Sequence, residues 1–189
     1  TRLTISDQAI TVNSAGTISV DTANLLEATT SGVITASITT SETVDELQTL
    51  TGTGNAYTIV IANGDATGST AAEYNSINGK TTVAVNLTNV TALAGSSLAD
   101  LGTLATAITN NQFSNDTGIT TIAVTDTTID ATTLLARIDS YDTINGVSGT
   151  TDMTLASGAT INLDASEITA MLADETAGRL TISDQAITV

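Results

Sequence analysis

Residues 2–12 read RLTISDQAITV, and residues 179–189 read the same letters in the same order. Only the preceding residue differs, Thr1 before one copy and Gly178 before the other. Arg179 stands 177 positions after Arg2. Identity over such a length predicts a tandem repeat, with 1–177 one full unit and 178–189 the start of the next. The chain is read as a window on a longer repetitive protein. Units of that kind bury their apolar surface against neighbours rather than in separate domains.

A shorter, degenerate cycle runs inside the long one: strand, hydroxyl or acidic cap, short helix, glycine, strand. It occurs six times, about every 30 residues, within the range of solenoid repeats. The predicted strands are Leu3–Ile5, Ile10–Val12, Thr17–Val20, Val33–Ile38, Tyr57–Ile61, Thr82–Leu87, Thr120–Val124, Asp152–Leu155 and Thr160–Leu163. Along them apolar and polar residues alternate, as in Ile34, Ala36 and Ile38 against Thr35, Ser37 and Thr39, so one face is expected to be buried. The intervening helices carry apolar residues at helical spacing: Leu25 and Leu26; Val44, Leu47 and Leu50; Tyr74 and Ile77; Leu98, Leu101, Leu104 and Ile108; Leu134, Leu135, Ile138 and Tyr141; Ile168, Met171 and Leu172. Threonine is about a fifth of the chain, and β-branched side chains suit a pleated surface.

The helix starts are regular. Thr43 with Glu46, Thr70 with Glu73 and Asp164 with Glu167 have capping-box spacing, Ser97 with Asp100 is a looser version, and Asp21 is the expected cap of the first helix. A glycine beyond each helix is expected to supply a left-handed C-cap. Strand–helix–strand units running in one direction make the strands parallel. The expected fold is therefore α/β: a repetitive β/α solenoid of parallel strands and short helices, about six units per 177 residues.

The composition excludes several functions. The chain has no Cys, which rules out disulfides and thiolate chemistry, and no His, which removes the commonest general base and metal ligand. The net charge is −16, with four basic residues, Arg2, Lys80, Arg137 and Arg179. Nucleic acid needs a basic footprint, so it is not an expected partner. No apolar run is long enough to span a bilayer.

Candidate sites are few. Asn63, Asp65 and Ser69 in one polar loop, and Asn115, Asp116 and Thr117 in another, offer oxygen ligands of the kind Ca²⁺ takes. Asn63, Asp65 and Asp116 are the metal candidates, and no other cofactor is expected. Asp126, Asp130, Asp139 and Asp142 form the densest acidic stretch. Acid–base chemistry there is weighed against a plainer reading: Asp130 as a helix cap and Asp139 on a solvated face near Arg137. Thr35, Thr58, Thr120 and Thr181 are the positions at which outward threonine ranks could resemble an ice-binding face. Asn86, Asn89 and Asn115 match the N-glycosylation pattern. No catalytic residue is assigned, and an enzyme is not expected.

The segments TISVDTANLLEATTSGVITASIT and TINLDASEITAMLADETAG resemble repeats of very large extracellular proteins of cyanobacteria and other aquatic bacteria, of the adhesin, surface-layer or sheath type. The resemblance covers the whole chain and lies in composition and rhythm. It implies an extracellular or cell-surface location and carries over no site residues. The expected function is a structural unit of a long extracellular fibre, filament or sheath, with copies of itself as partners end to end and side by side. The alternatives are a stalk segment of a giant adhesin, with a glycan or cell partner elsewhere in the protein, and an ice-binding or calcium-stiffened extender.

Overall fold

Alternation along the strands is what orients this chain. Ile34, Ala36 and Ile38 are buried while Thr35 is exposed, and Tyr57, Ile59 and Ile61 are buried while Thr58 is exposed. A computed structural model describes residues 5–13, 16–61, 68–146 and 149–189. The elements run β1 (Ile10–Thr11), β2 (Thr17–Ile18), α1 (Val20–Glu27), β3 (Ile34–Ile38), α2 (Val44–Gln48), β4 (Ala56–Thr58), α3 (Ala71–Asn78), β5 (Val85–Asn86), β6 (Ala92–Ser96), α4 (Leu98–Thr109), β7 (Phe113–Ser114), β8 (Thr121–Val124), β9 (Thr128–Asp130), α5 (Ala131–Asn145), β10 (Asp152–Thr154), β11 (Thr160–Asn162), α6 (Ile168–Thr176), β12 (Leu180–Thr181) and β13 (Ala186–Thr188). The architecture is mixed α/β, with parallel strands and short helices.

All pairings between these strands are parallel. β1 and β2 lie end to end along one edge of β3, where Ile10 N–H donates to Val33 O and Thr39 N–H to Ile18 O. β4 pairs with β3 as well. A second sheet has the order β12-β10-β8-β6, a third β13-β11-β9, and β5 pairs with β7. Paired positions are separated by 21 residues from Thr35 to Ala56 and by 32 from Thr128 to Thr160. A parallel partner has to be reached by a crossover, and here the crossover carries the helix. Helix α2 packs on α3, α3 on α4 and α4 on α5. The buried apolar residues form one cluster reaching from Val20 to Leu180.

Polar ties run between successive segments. The first free N–H of α1, at Val20, donates to Glu42 Oε1 (3.1 Å). Those of α3 and α4, at Ala71 and Leu98, donate to Ser96 Oγ (2.9 Å) and Asp126 Oδ2 (2.7 Å). A local cap takes the amide at the third position, which leaves the first amide without an intrahelical acceptor. The following segment supplies that acceptor. Asn24 and Asn75 reach forward in the same way, donating to Thr49 O and Asp100 O, each at 3.1 Å.

Both capping boxes at Thr43/Glu46 and Thr70/Glu73 are formed with all their hydrogen bonds. Two other caps differ from expectation. Ser19, not Asp21, is the N-cap of α1, because Val20 begins the helix instead of ending a strand. Glu167 does accept from Asp164 N–H at 2.7 Å, but residues 165–167 form a turn and α6 begins only at Ile168. Among the glycines, Gly146 is a left-handed C-cap with φ +68°, whereas Gly79 is right-handed. Gly32 serves a different purpose: a Cβ there would overlap the Gln8 carbonyl and the Ala9 nitrogen.

The apolar stripes hold in the middle of the chain and fail at its ends. Val44, Leu47, Tyr74, Ile77, Leu101, Leu104 and Ile138 are buried. In α1 the buried residues are Val20 and Ala23, and Leu25 is 66 % exposed. In α6 only Met171 of the expected stripe is buried. Strands β6, β7 and β9 were not expected. Ala92–Ser96 contains a glycine, and Phe113–Ser114 lies inside a polar run, so neither has the local composition of a strand. They pair because neighbouring strands offer them an edge.

Candidate functional site

The fold divides the acidic stretch: Asp126 and Asp130 serve helix starts, while Asp139 and Asp142 meet at Arg179. Asp126 covers the Leu98 amide. Asp130 is the N-cap of α5, accepting from Thr133 N–H (2.8 Å) and Thr133 Oγ1 (2.7 Å); these bonds hold its carboxyl below the ordinary value. Asp139 is exposed, and its ion pair is with Arg179 at 3.6 Å, not with Arg137. Arg137 instead donates through Nε to Leu98 O at 3.1 Å.

Asp142 is the centre of the best-built polar cluster. It is buried, and it accepts from Gly149 N–H (2.8 Å), Thr151 N–H (3.1 Å) and Arg179 Nη1 (2.7 Å). Arg179 Nη2 also donates to the buried Asp174. Burial pushes the Asp142 carboxyl up, but the bonds from Gly149, Arg179 and Thr151 outweigh it and leave the group below its ordinary value. At Asp174 burial dominates and the carboxyl is raised, with Arg179 opposing. The two acids share one cation and differ in two ways: Asp142 alone receives the backbone amides of Gly149 and Thr151, and Asp174 is raised further by the charges of Asp139 and Asp142. Sequence reasoning missed Asp174 and Arg179 as partners. The signal available was scarcity: with four basic residues against −16 net charge, each cation is sought by several carboxylates.

Of the calcium candidates, Asn63 and Asp65 lie outside the described residues. Asp116 is half-buried, and burial raises its carboxyl. It lines an open depression of about 680 Å³ together with Asn110, Asn111, Arg137, Asp139 and Thr143. The Arg137 guanidinium in that depression already supplies a positive charge. Among the described residues, no group of three or more His, Cys, Asp or Glu is placed to hold a metal.

The threonine positions do not make one rank. Thr35 pairs with Thr11 on one side and Ala56 on the other, Thr58 pairs with Ser37, and Thr181 with Thr154 in a different sheet; Thr120 precedes β8 and accepts from Asp152 N–H through its carbonyl. Asn86 Oδ1 accepts from Thr88 N–H at 2.8 Å and Asn89 Nδ2 donates to Ile61 O at 3.1 Å, whereas Asn115 is exposed in a left-handed turn. All four aromatic side chains, Tyr57, Tyr74, Phe113 and Tyr141, are buried, so none offers a stacking surface for a sugar. No described helix is long and apolar enough to cross a membrane. Comparison of the chain with family models, with curated proteins and with solved structures gives no match.

Proposed function

We propose that this chain is a structural unit of a long extracellular fibre, filament or sheath, built as a β/α solenoid in which 177-residue copies follow one another. The observation that carries the reading is the return of residues 2–12 at 179–189. Three features support it. The strand pairings are parallel and link each segment to later ones, a geometry that can be continued by more of the same. The acids Asp126, Asp130 and Asp142 are engaged in caps and ties between segments. The buried aromatics favour packing over sugar binding.

In this reading the working residues are those of the strand faces and helix stripes. The acidic surface keeps long polymers soluble and apart. The test is electron cryomicroscopy of the native material, with the axial repeat taken from its power spectrum. Six layers at about 4.8 Å give a rise of at least about 30 Å per copy. A continuous fibre with a repeat of that order is the expected result. Isolated particles of about 19 kDa would overturn the reading.

A further inference from the structure

The two copies of RLTISDQAITV use opposite edges. In the copy at residues 5–12, Ile10 and Val12 turn their N–H groups towards the following segment, donating to Val33 O (3.0 Å) and Thr35 O (2.9 Å). In the copy at 179–189, the residues equivalent to Ala9 and Thr11 face the preceding segment: Ala186 N–H donates to Ala159 O (2.9 Å), and Thr188 O accepts from Leu163 N–H (3.0 Å). Backbone groups of successive strand residues point to opposite sides. The two sets of bonds therefore share no group.

The side chains divide in the same way. At the first copy the following segment is fastened by its own side chains, Thr30 Oγ1 to Gln8 O (2.6 Å) and Ser31 Oγ to Ser6 O (2.9 Å). At the second, the preceding segment is fastened by Ser157 Oγ to Asp184 (2.6 Å) and Gln185 Nε2 to Ala156 O (2.9 Å). Arg179 adds its ties to Asp142 and Asp174. Burial follows the contacts. Val12 packs against the core, while its counterpart Val189 is 77 % exposed; Ile187 is 54 % and Leu172 on α6 is 57 % exposed.

We infer that the outer edge of β13 is the docking surface for residues 30–35 of a further copy of this chain, placed on β13 as those residues are placed on β1, and that the exposed face of α6, which packs on β12, takes α1 of that copy. This rests on the tandem-unit reading and adds to it a register: Ile187 against Ile34 and Thr188 against Thr35 of the incoming copy, as in the pairing of Ile10 and Thr11. The seam then contains the same bonds as the interior. Arg179, the first residue of the repeated segment, is bound to acids of the copy before it, so the ion pair straddles the boundary between copies.

The test compares amide hydrogen exchange in the 189-residue chain and in a chain where residues 13–189 follow Val189 once more. Ile10 and Val12 serve as internal references. The expected result is that exchange at Ile187 and Val189 slows by at least about 100-fold in the longer chain, to the rates of the references. Unchanged exchange would overturn the inference and mean that the copies fold as separate beads. The variant Leu172→Asp, at an exposed position, is expected to leave the 189-residue chain unaffected and to speed exchange at Ile187 in the longer one by about 10-fold. Exchange at Ile187 that ignores this variant would overturn the helix half of the surface. Absence of fibres in micrographs of the native material, with Ile187 protected, would remove the fibre reading and leave the seam standing.

Discussion

Arg179 Nη1 lies 2.7 Å from Asp142 Oδ2, joining the repeated segment to α5 in the unit before it. Both side chains are largely buried, and the same guanidinium reaches Asp174 through Nη2. Removing one member of such a cluster leaves its partners charged and short of hydrogen bonds. Asp142→Asn is expected to cost on the order of 3 kcal/mol, measured by urea unfolding at neutral pH.

The same cluster sets a pH dependence with two opposed parts. The folded Asp142 carboxyl lies below its ordinary value, so its contribution to stability is present above that value and is lost as pH falls through the lowered one. Asp174 is raised by burial, so its ionisation opposes folding at neutral pH, and that penalty is relieved as pH falls through the raised value. Acid titration should therefore show Asp174 taking up its proton first with no loss of structure, and Asp142 only as the fold weakens. Carboxyl carbon shifts followed by NMR would show the order; Asp142 protonating before Asp174 would contradict the assignment.

Tyr57 is fully buried, its hydroxyl makes no hydrogen bond among the described residues, and burial, with the nearby charge of Glu27, pushes it up to about 12. An unpaired buried hydroxyl is a cost, so Tyr57→Phe is expected to be neutral or to stabilise by up to about 1 kcal/mol. In the parent chain the raised value means that stability is complete below the ordinary tyrosine value of 10.0 and declines as pH rises above it. Ultraviolet titration of tyrosinate absorbance against unfolding measures both.

Gly32 approaches the backbone of Gln8 so closely that a Cβ would overlap it. Gly32→Ala forces the strands apart where Ser31 and Val33 hold residues 6–10. The expected cost is about 1–3 kcal/mol, with faster exchange at Ile10 and unchanged exchange at Ile161. A uniform loss of protection would show that the damage is not local.

The helix stripes give a paired comparison. Leu104→Ala removes a side chain with no exposed surface and should cost about 2–5 kcal/mol. Leu25→Ala, at a position 66 % exposed, should stay within about 0.5 kcal/mol. Equal effects in thermal unfolding would restore Leu25 to the core, where the apolar spacing alone had put it.

The features legible in the amino-acid order are local. The alternation at Ile34–Ile38, the stripe Leu98, Leu101, Leu104, and the boxes Thr43/Glu46 and Thr70/Glu73 are all formed, because each depends on residues within one or two turns of chain. So was the α/β class, which follows from the order of strands and helices. Tertiary structure decided what depends on neighbours. Ala92–Ser96 and Phe113–Ser114 become strands because adjacent edges lack partners. Asp126 becomes a cap for a helix that begins 28 residues earlier. Asp139 finds Arg179 rather than Arg137, although Arg137 is closer in sequence. Leu25 and Leu172 have helical apolar spacing and still lie exposed, because burial needs a surface on the other side. Composition shows that a residue can be buried; only the packed neighbour decides that it is.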